Sequence, residues 1–206
     1  MLAELHGKLD PDPATAVDRS EDLLTSAVFG AVRHLLRHAL VAVCEAAGVV
    51  VDASAASKAR VELWPRIPMP RRPGVWIEPD VIVVIGRQPL VFEAKLHSPF
   101  GMYPDPGDPD APSLHQMAVQ YAALRAWAAG ERLLPPVIVA VTAPPHRPVG
   151  DLSRAAADVV RLCPDAPDGV LRWLPWSRIA AVLEALGDLR VHERTLVSGC
   201  PCGPSP

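Results

Sequence analysis

The chain has 206 residues, 50% of them hydrophobic, enough for one domain with a sizeable core. Its net charge of −3 excludes a molecule that is basic throughout, so a nucleic-acid role requires a local cationic surface or a partner that supplies one. No run of about 18 apolar residues signals a membrane span, and the opening MLAELHGKLDPDPATA lacks the basic start and apolar core of a secretory signal; the four cysteines, Cys44, Cys163, Cys200 and Cys202, build no disulfide framework, so a reducing cytoplasm is expected.

Residues 1–17 are polar and proline-bearing and read as a flexible N-terminal arm, residues 18–190 as a single domain, and residues 191–206 as a C-terminal tail. Asp18 or Ser20 is placed to cap a helix that opens with Glu21 and Asp22, acids that suit a helix N-terminus. Leu24, Val28, Ala31, Leu35, Ala39 and Val43 repeat at helical spacing, which carries this helix to about residue 47. A turn or brief strand is expected over 48–56, and a first sheet strand over 60–64 from its period-two pattern. Pro65, Pro68, Pro70 and Pro73 then predict a loop. Lys58, Arg60, Arg66, Arg71 and Arg72 make the densest basic stretch of the chain, either a solubilising loop or the place where backbone phosphates are met.

The stretch 76–96, WIEPDVIVVIGRQPLVFEAKL, predicts a hairpin. Five consecutive β-branched residues at 81–85 mark a strand covered on both faces, residues 86–89 turn the chain, and 90–96 return as a second strand. Three charged residues lie in this apolar setting: Asp80, Glu93 and Lys95. Alternation along a strand puts Glu93 and Lys95 on one face, and Asp80 comes level with them if the turn is tight. Two close carboxylates repel unless a cation lies between them. Hard oxygen donors with room for water suit Mg²⁺ or Mn²⁺ better than Zn²⁺. The alternative is an exposed Glu93–Lys95 pair on an edge strand, with Asp80 a turn residue.

Residues 97–113 form a long proline- and glycine-rich loop, in which His97 is either a second base or a plain loop histidine. Ser113 is placed to cap a helix that stops at Gly130 and carries Gln116 and Gln120 one turn apart. A doubly buried strand over 136–143 completes a βαβ unit with the second hairpin strand and should run parallel to it. A helix over 151–162, a strand over 170–174 and a helix over 176–186 follow. Cys200 and Cys202 in the tail are two potential metal donors, too few for a zinc site without a partner.

Pro79-Asp80, twelve intervening residues and then Glu93-Ala94-Lys95 resembles the motif of the PD-(D/E)XK nuclease superfamily. Pro-Asp occurs six times in the chain, but only the copy at Pro79 precedes a strand and is followed by Glu-x-Lys in the next. The element order matches the αβββαβ core of the restriction-endonuclease-like fold over about residues 20–143, which implies an α/β protein with a mixed central sheet flanked by helices. By this resemblance Asp80, Glu93 and the Ala94 carbonyl would hold Mg²⁺ or Mn²⁺, and Lys95 would serve the attacking water. Glu21 lies in SEDLLTSAVFG, which resembles the opening helix of small nuclease-like proteins of bacterial defence loci; it is either a glutamate aimed at the metal or a simple first-turn acid. Gln120 and Gln116 fall where related families place a glutamine near the active site, often with a tyrosine, although Tyr121 stands at the wrong step from either. The function implied is metal-dependent phosphodiester hydrolysis, of DNA in preference to RNA, with Lys58, Arg66, Arg71, Arg72 and Gln116 as nucleic-acid contacts. Small size and modest charge fit a homo-oligomer or an enzyme that works with a partner protein of a defence system. The rival expectation is an inactive nuclease-like scaffold that binds nucleic acid or a protein.

Overall fold

Val81–Ile85 is buried along its whole length and forms β4, the second strand of a five-stranded sheet. The structure, a computed structural model, describes residues 16–35, 37–70, 72–105 and 110–186. The sheet runs in the order β1 (Arg60–Leu63), β4, β5 (Gln88–Lys95), β8 (Val137–Thr142), β9 (Leu171–Pro175). β1, β4 and β5 are antiparallel, whereas β5, β8 and β9 are parallel, so the sheet is mixed. Two small ribbons accompany it, β2 (Ile67–Pro68) with β3 (Trp76–Ile77), and β6 (Met102–Tyr103) with β7 (Leu114–His115).

Alternation along β4 and β5 divides the core into two layers. Val81, Val83, Leu90, Phe92 and Ala94 face α1 (Ala16–Leu35), α2 (Arg37–Ala46) and α5 (Trp176–Ala185). Phe29 of α1 anchors that layer between Phe92 and Trp176, with ring centroids 4.9 and 6.3 Å away. Ile82, Val84, Val91, Ile138 and Ala140 face α3 (Gln116–Gly130) and α4 (Val149–Leu162). This is an α/β architecture with helices on both faces of a mixed sheet. Among the described residues no helix is long and apolar enough to cross a membrane.

Several local expectations are corrected. The helix expected over 18–47 is described as α1 and α2, which flank residue 36, itself outside the described residues; α1 already includes residues 16 and 17 of the expected arm, so Asp18 and Ser20 lie inside it rather than capping it. The rest of the arm, residues 1–15, and the tail with Cys200 and Cys202 lie outside the described residues. Of the turn or brief strand expected over 48–56, a turn stands at residues 47–48, and residues 53–58 form a 3₁₀ helix, Ala53–Lys58, capped by Asp52. The proline-rich segment is not all loop: β2 and β3 pair across it. Ser113 does not cap α3. Leu114 and His115 are held in β7, so the helix starts at Gln116 and the His115 ring accepts the Met117 N–H instead. The β4–β5 turn is two residues, Gly86 and Arg87, because Gln88 already pairs with Ile85 and Pro89 with Val84. Pairing with β8 begins only at Leu90, so Pro89 lies beyond the end of that neighbour, where a missing N–H is tolerated.

Candidate functional site

The β4–β5 register pairs Val81 with Phe92, and one step further along the same ladder stand Asp80 and Glu93. Both project from the sheet face that α3 covers, on the parity of Ile82 and Val91. Chain direction is enforced at this point by an unusual residue. Trp64, just past β1, has φ 48° and donates its N–H to the Asp80 carbonyl at 2.9 Å. A bulky side chain at positive φ is strained, and such strain concentrates near functional sites.

Glu93 is 2% exposed and would be costly as a carboxylate without compensation. Three donors reach it. Lys95 Nζ lies 3.0 Å from Oε1, Gln116 Nε2 donates to Oε1 at 2.5 Å, and Gln120 Nε2 donates to Oε2 at 2.6 Å. The i, i+4 spacing of the glutamines on α3 is what lets both amides reach one carboxylate. Gln116 also accepts the Gly101 N–H through Oε1 at 2.8 Å, tying the long loop after β5 to the site.

Glu21, 8% exposed on α1, reaches round the end of β5. Its Oε1 lies 3.2 Å from Lys95 Nζ, while Oε2 accepts the Leu96 N–H at 2.7 Å and the Ser98 hydroxyl at 3.0 Å. Asp80 accepts the Ala94 N–H through Oδ2 at 2.7 Å, and its other oxygen accepts no hydrogen bond among the described residues. Asp80, Glu93, Lys95, Glu21, Gln116 and Gln120 are therefore gathered in one place. The exposed-pair alternative for Glu93 and Lys95 does not hold, because β5 is interior to the sheet.

Electrostatics follow from this crowding. Burial, and then the neighbouring Glu93, push the Asp80 carboxyl well above its ordinary pKa, against the pull of Lys95 and the Ala94 N–H. Burial works against the Lys95 ammonium, yet Glu93, Asp80 and Glu21 outweigh it and hold lysine above its usual range. Lys95 thus stays an ammonium at any working pH. Three acids face one amine, and the excess of negative charge favours a further cation.

Among the described residues no three His, Cys, Asp or Glu side chains stand as a ready ligand set. The inner oxygens of Glu93 and Glu21 are instead turned to Lys95 and to amide donors. What Asp80, Glu93 and the Ala94 carbonyl offer is an all-oxygen donor set with an unengaged Asp80 oxygen. That chemistry fits Mg²⁺ or Mn²⁺ with water completing the shell, and not zinc.

The basic candidates are dispersed. Lys58 is exposed at the far end of the sheet: β1 runs antiparallel to β4, pairing Arg60 with Val84, so its start lies by the β4–β5 turn, away from Asp80. Arg66 is exposed at the site end and pairs with Glu78 at 3.4 Å. Arg72 donates to the Asp105 carbonyl at 3.3 Å, and Arg71 lies outside the described residues. Gln116 serves Glu93 rather than an open surface. His97 is exposed beside Lys95. Sequence reasoning missed Ser98 and Gly101, both ordinary loop residues whose roles arise from where Glu21 and Gln116 reach them. Comparison with known protein families, with curated proteins and with solved structures finds no match.

Proposed function

We propose that the chain is a metal-dependent nuclease of the PD-(D/E)XK class, with DNA favoured as substrate on the resemblance alone. One observation carries this reading: Asp80, Glu93 and Lys95 meet from adjacent strands, with Glu21 closing the cluster from α1. The helix, the β1–β4–β5 meander, α3 and parallel β8 follow the order that the class would need. Asp80, Glu93 and the Ala94 carbonyl would hold Mg²⁺ or Mn²⁺, which when bound would draw charge from a phosphodiester and make its water acidic. Lys95, fixed as an ammonium, orients the nucleophile and opposes charge that develops on the phosphate. Glu21 keeps the ammonium in place, and Gln116 and Gln120 hold both Glu93 oxygens in one orientation. A role in defence against invading nucleic acid, alone or with a partner protein, fits the resemblance.

The test is cleavage of single- and double-stranded DNA and RNA with Mg²⁺ or Mn²⁺. Lys95→Ala and Asp80→Ala should each lower the rate by about 10²-fold or more. The ion should also raise the melting temperature of the wild type and leave that of Asp80→Ala unmoved. All four substrates remaining intact, with no thermal response to the ion, would sink the proposal. One observation favours a second reading, an inactive nuclease-like scaffold: every Glu93 oxygen is already satisfied by protein donors. That scaffold would bind nucleic acid or a protein without cutting, equally well in wild type and Lys95→Ala.

A further inference from the structure

A cavity of about 340 Å³ opens beside Lys95, at the carboxyl ends of the adjacent parallel strands β5 and β8. Open α/β sheets bind ligands at such a place, where the loops leaving neighbouring strands diverge. One wall is the segment after β5, with His97 and Phe100, and the other is the segment after β8, with Thr142 and His146. Three prolines, Pro99, Pro144 and Pro148, line these walls and restrict φ there. Thr142 reinforces the second wall by donating to the Pro144 carbonyl at 3.2 Å and accepting the Trp173 indole N–H at 2.9 Å.

Polar atoms are left in reserve here. Asp151, at the first turn of α4, lines the cavity and is half exposed. Behind it His115 is 1% exposed, and its Nε2 finds no hydrogen-bond partner among the described residues, with Asp151 Oδ1 4.0 Å away. The His115 ring accepts the Met117 N–H through Nδ1, so the neutral ring carries its proton on Nε2, toward Asp151. Phe100 leans on that ring, with centroids 5.4 Å apart. The cavity therefore has a cation at its inner end, an aromatic face and imidazoles on its walls, and a carboxylate backed by a spare donor.

We infer that this cavity receives a single unpaired nucleotide, with its phosphate at Lys95 and its base against Phe100 and His146, so that the substrate is a strand end or single-stranded segment and not intact duplex. The inference rests on the nuclease reading for its biological meaning. Its volume lies at the small end of ligand cavities, about 300–1,000 Å³, which accommodates one nucleotide and no base pair. A paired base would have to be unstacked to enter, and an unpaired one enters at least cost. Aromatic side chains on which bases stack, together with nearby cations, are the usual recognition of single strands.

Two measurements test this separately from the nuclease reading. Calorimetric titration with deoxyadenosine 5′-monophosphate in Mg²⁺ should show saturable binding. It should weaken about tenfold or more in His146→Trp, which fills the cavity from an exposed loop position, and in Phe100→Ala. Cleavage of a single-stranded or overhang-bearing oligonucleotide should exceed that of a blunt duplex by tenfold or more, and His146→Trp should abolish the preference. Binding that His146→Trp removes, without cleavage of anything, supports the cavity assignment and overturns only the nuclease reading. Cleavage without nucleotide binding, or an intact duplex cut as fast as a single strand, overturns the cavity assignment and leaves the nuclease reading standing.

Discussion

Burial and the nearby Glu93 act on Asp80 in the same direction, raising its pKa in the folded protein above that of the unfolded chain. A carboxyl of that kind contributes stability while protonated, below the unfolded value of about 4, and the contribution is lost as pH rises through the folded value. Lys95 has no part in this window: its pKa is also raised, so its contribution is complete below the ordinary lysine pKa of about 10.4 and is lost only above that. Asp80→Asn keeps an oxygen for the Ala94 N–H and removes the titration. Without divalent ions the variant should melt higher than the wild type at pH 8, by about 2–4 °C for each kcal/mol recovered, and the gap should close towards pH 4. A gap that widens on acidification would mean that Asp80 is stabilised as an anion. Gln120 tests how far the buried Glu93 depends on its amide donors. It is buried and supplies the donor to Glu93 Oε2, so Gln120→Ala leaves that oxygen without its amide and should cost about 1–3 kcal/mol in urea unfolding.

The hairpin of β4 and β5 decides whether these residues meet. Side chains alternate with period two, so a slip of one residue would turn Glu93 and Lys95 to the opposite face from Asp80. The register is set at Gly86, whose φ of 59° is natural for glycine and strained for other residues. A Cβ there would meet only ordinary contact with Ala55, so the penalty of substitution is in the backbone. Gly86→Val should destabilise by about 1–2 kcal/mol, read as a lower urea midpoint with an unchanged slope; an unperturbed midpoint would show that the turn does not set the register. This hairpin and β8 were legible in the sequence because their apolar runs are covered on both faces, and α4 because Leu152, Ala155 and Val159 recur at helical spacing on its one buried face. What was illegible depended on distant partners. Ser113 looked like the cap because nothing local shows that Leu114 and His115 pair with β6. In the site itself, Asp80, Glu93 and Lys95 were readable from alternation, whereas the double clamp of Gln116 and Gln120 on one carboxylate required knowing that α3 lies over β5.

For the whole molecule, charge limits how nucleic acid is met. The chain carries 20 Lys and Arg against 23 Asp and Glu, and its own site adds three acids that a phosphate must approach. Of the basic residues expected to help, Lys58 stands at the other end of the sheet, and the guanidinium of Arg66 is engaged by Glu78. The basic residues expected from the sequence therefore do not line up as one phosphate-tracking surface, and Lys95 is the cation held in the site itself. Each neutralised phosphate of a single strand contributes about −0.7 to the slope of log affinity against log salt. Two or three contacts give a slope of about −1.4 to −2.1. Fluorescence anisotropy of a labelled single-stranded oligonucleotide on Lys95→Ala, which retains Arg66 and Arg72, should give a slope shallower than that of the uncut wild-type complex in Ca²⁺ by about 0.7. A wild-type slope of about −5 or steeper would require an extended basic surface and would set aside the account in which a divalent ion and one ammonium do most of the work of holding the strand.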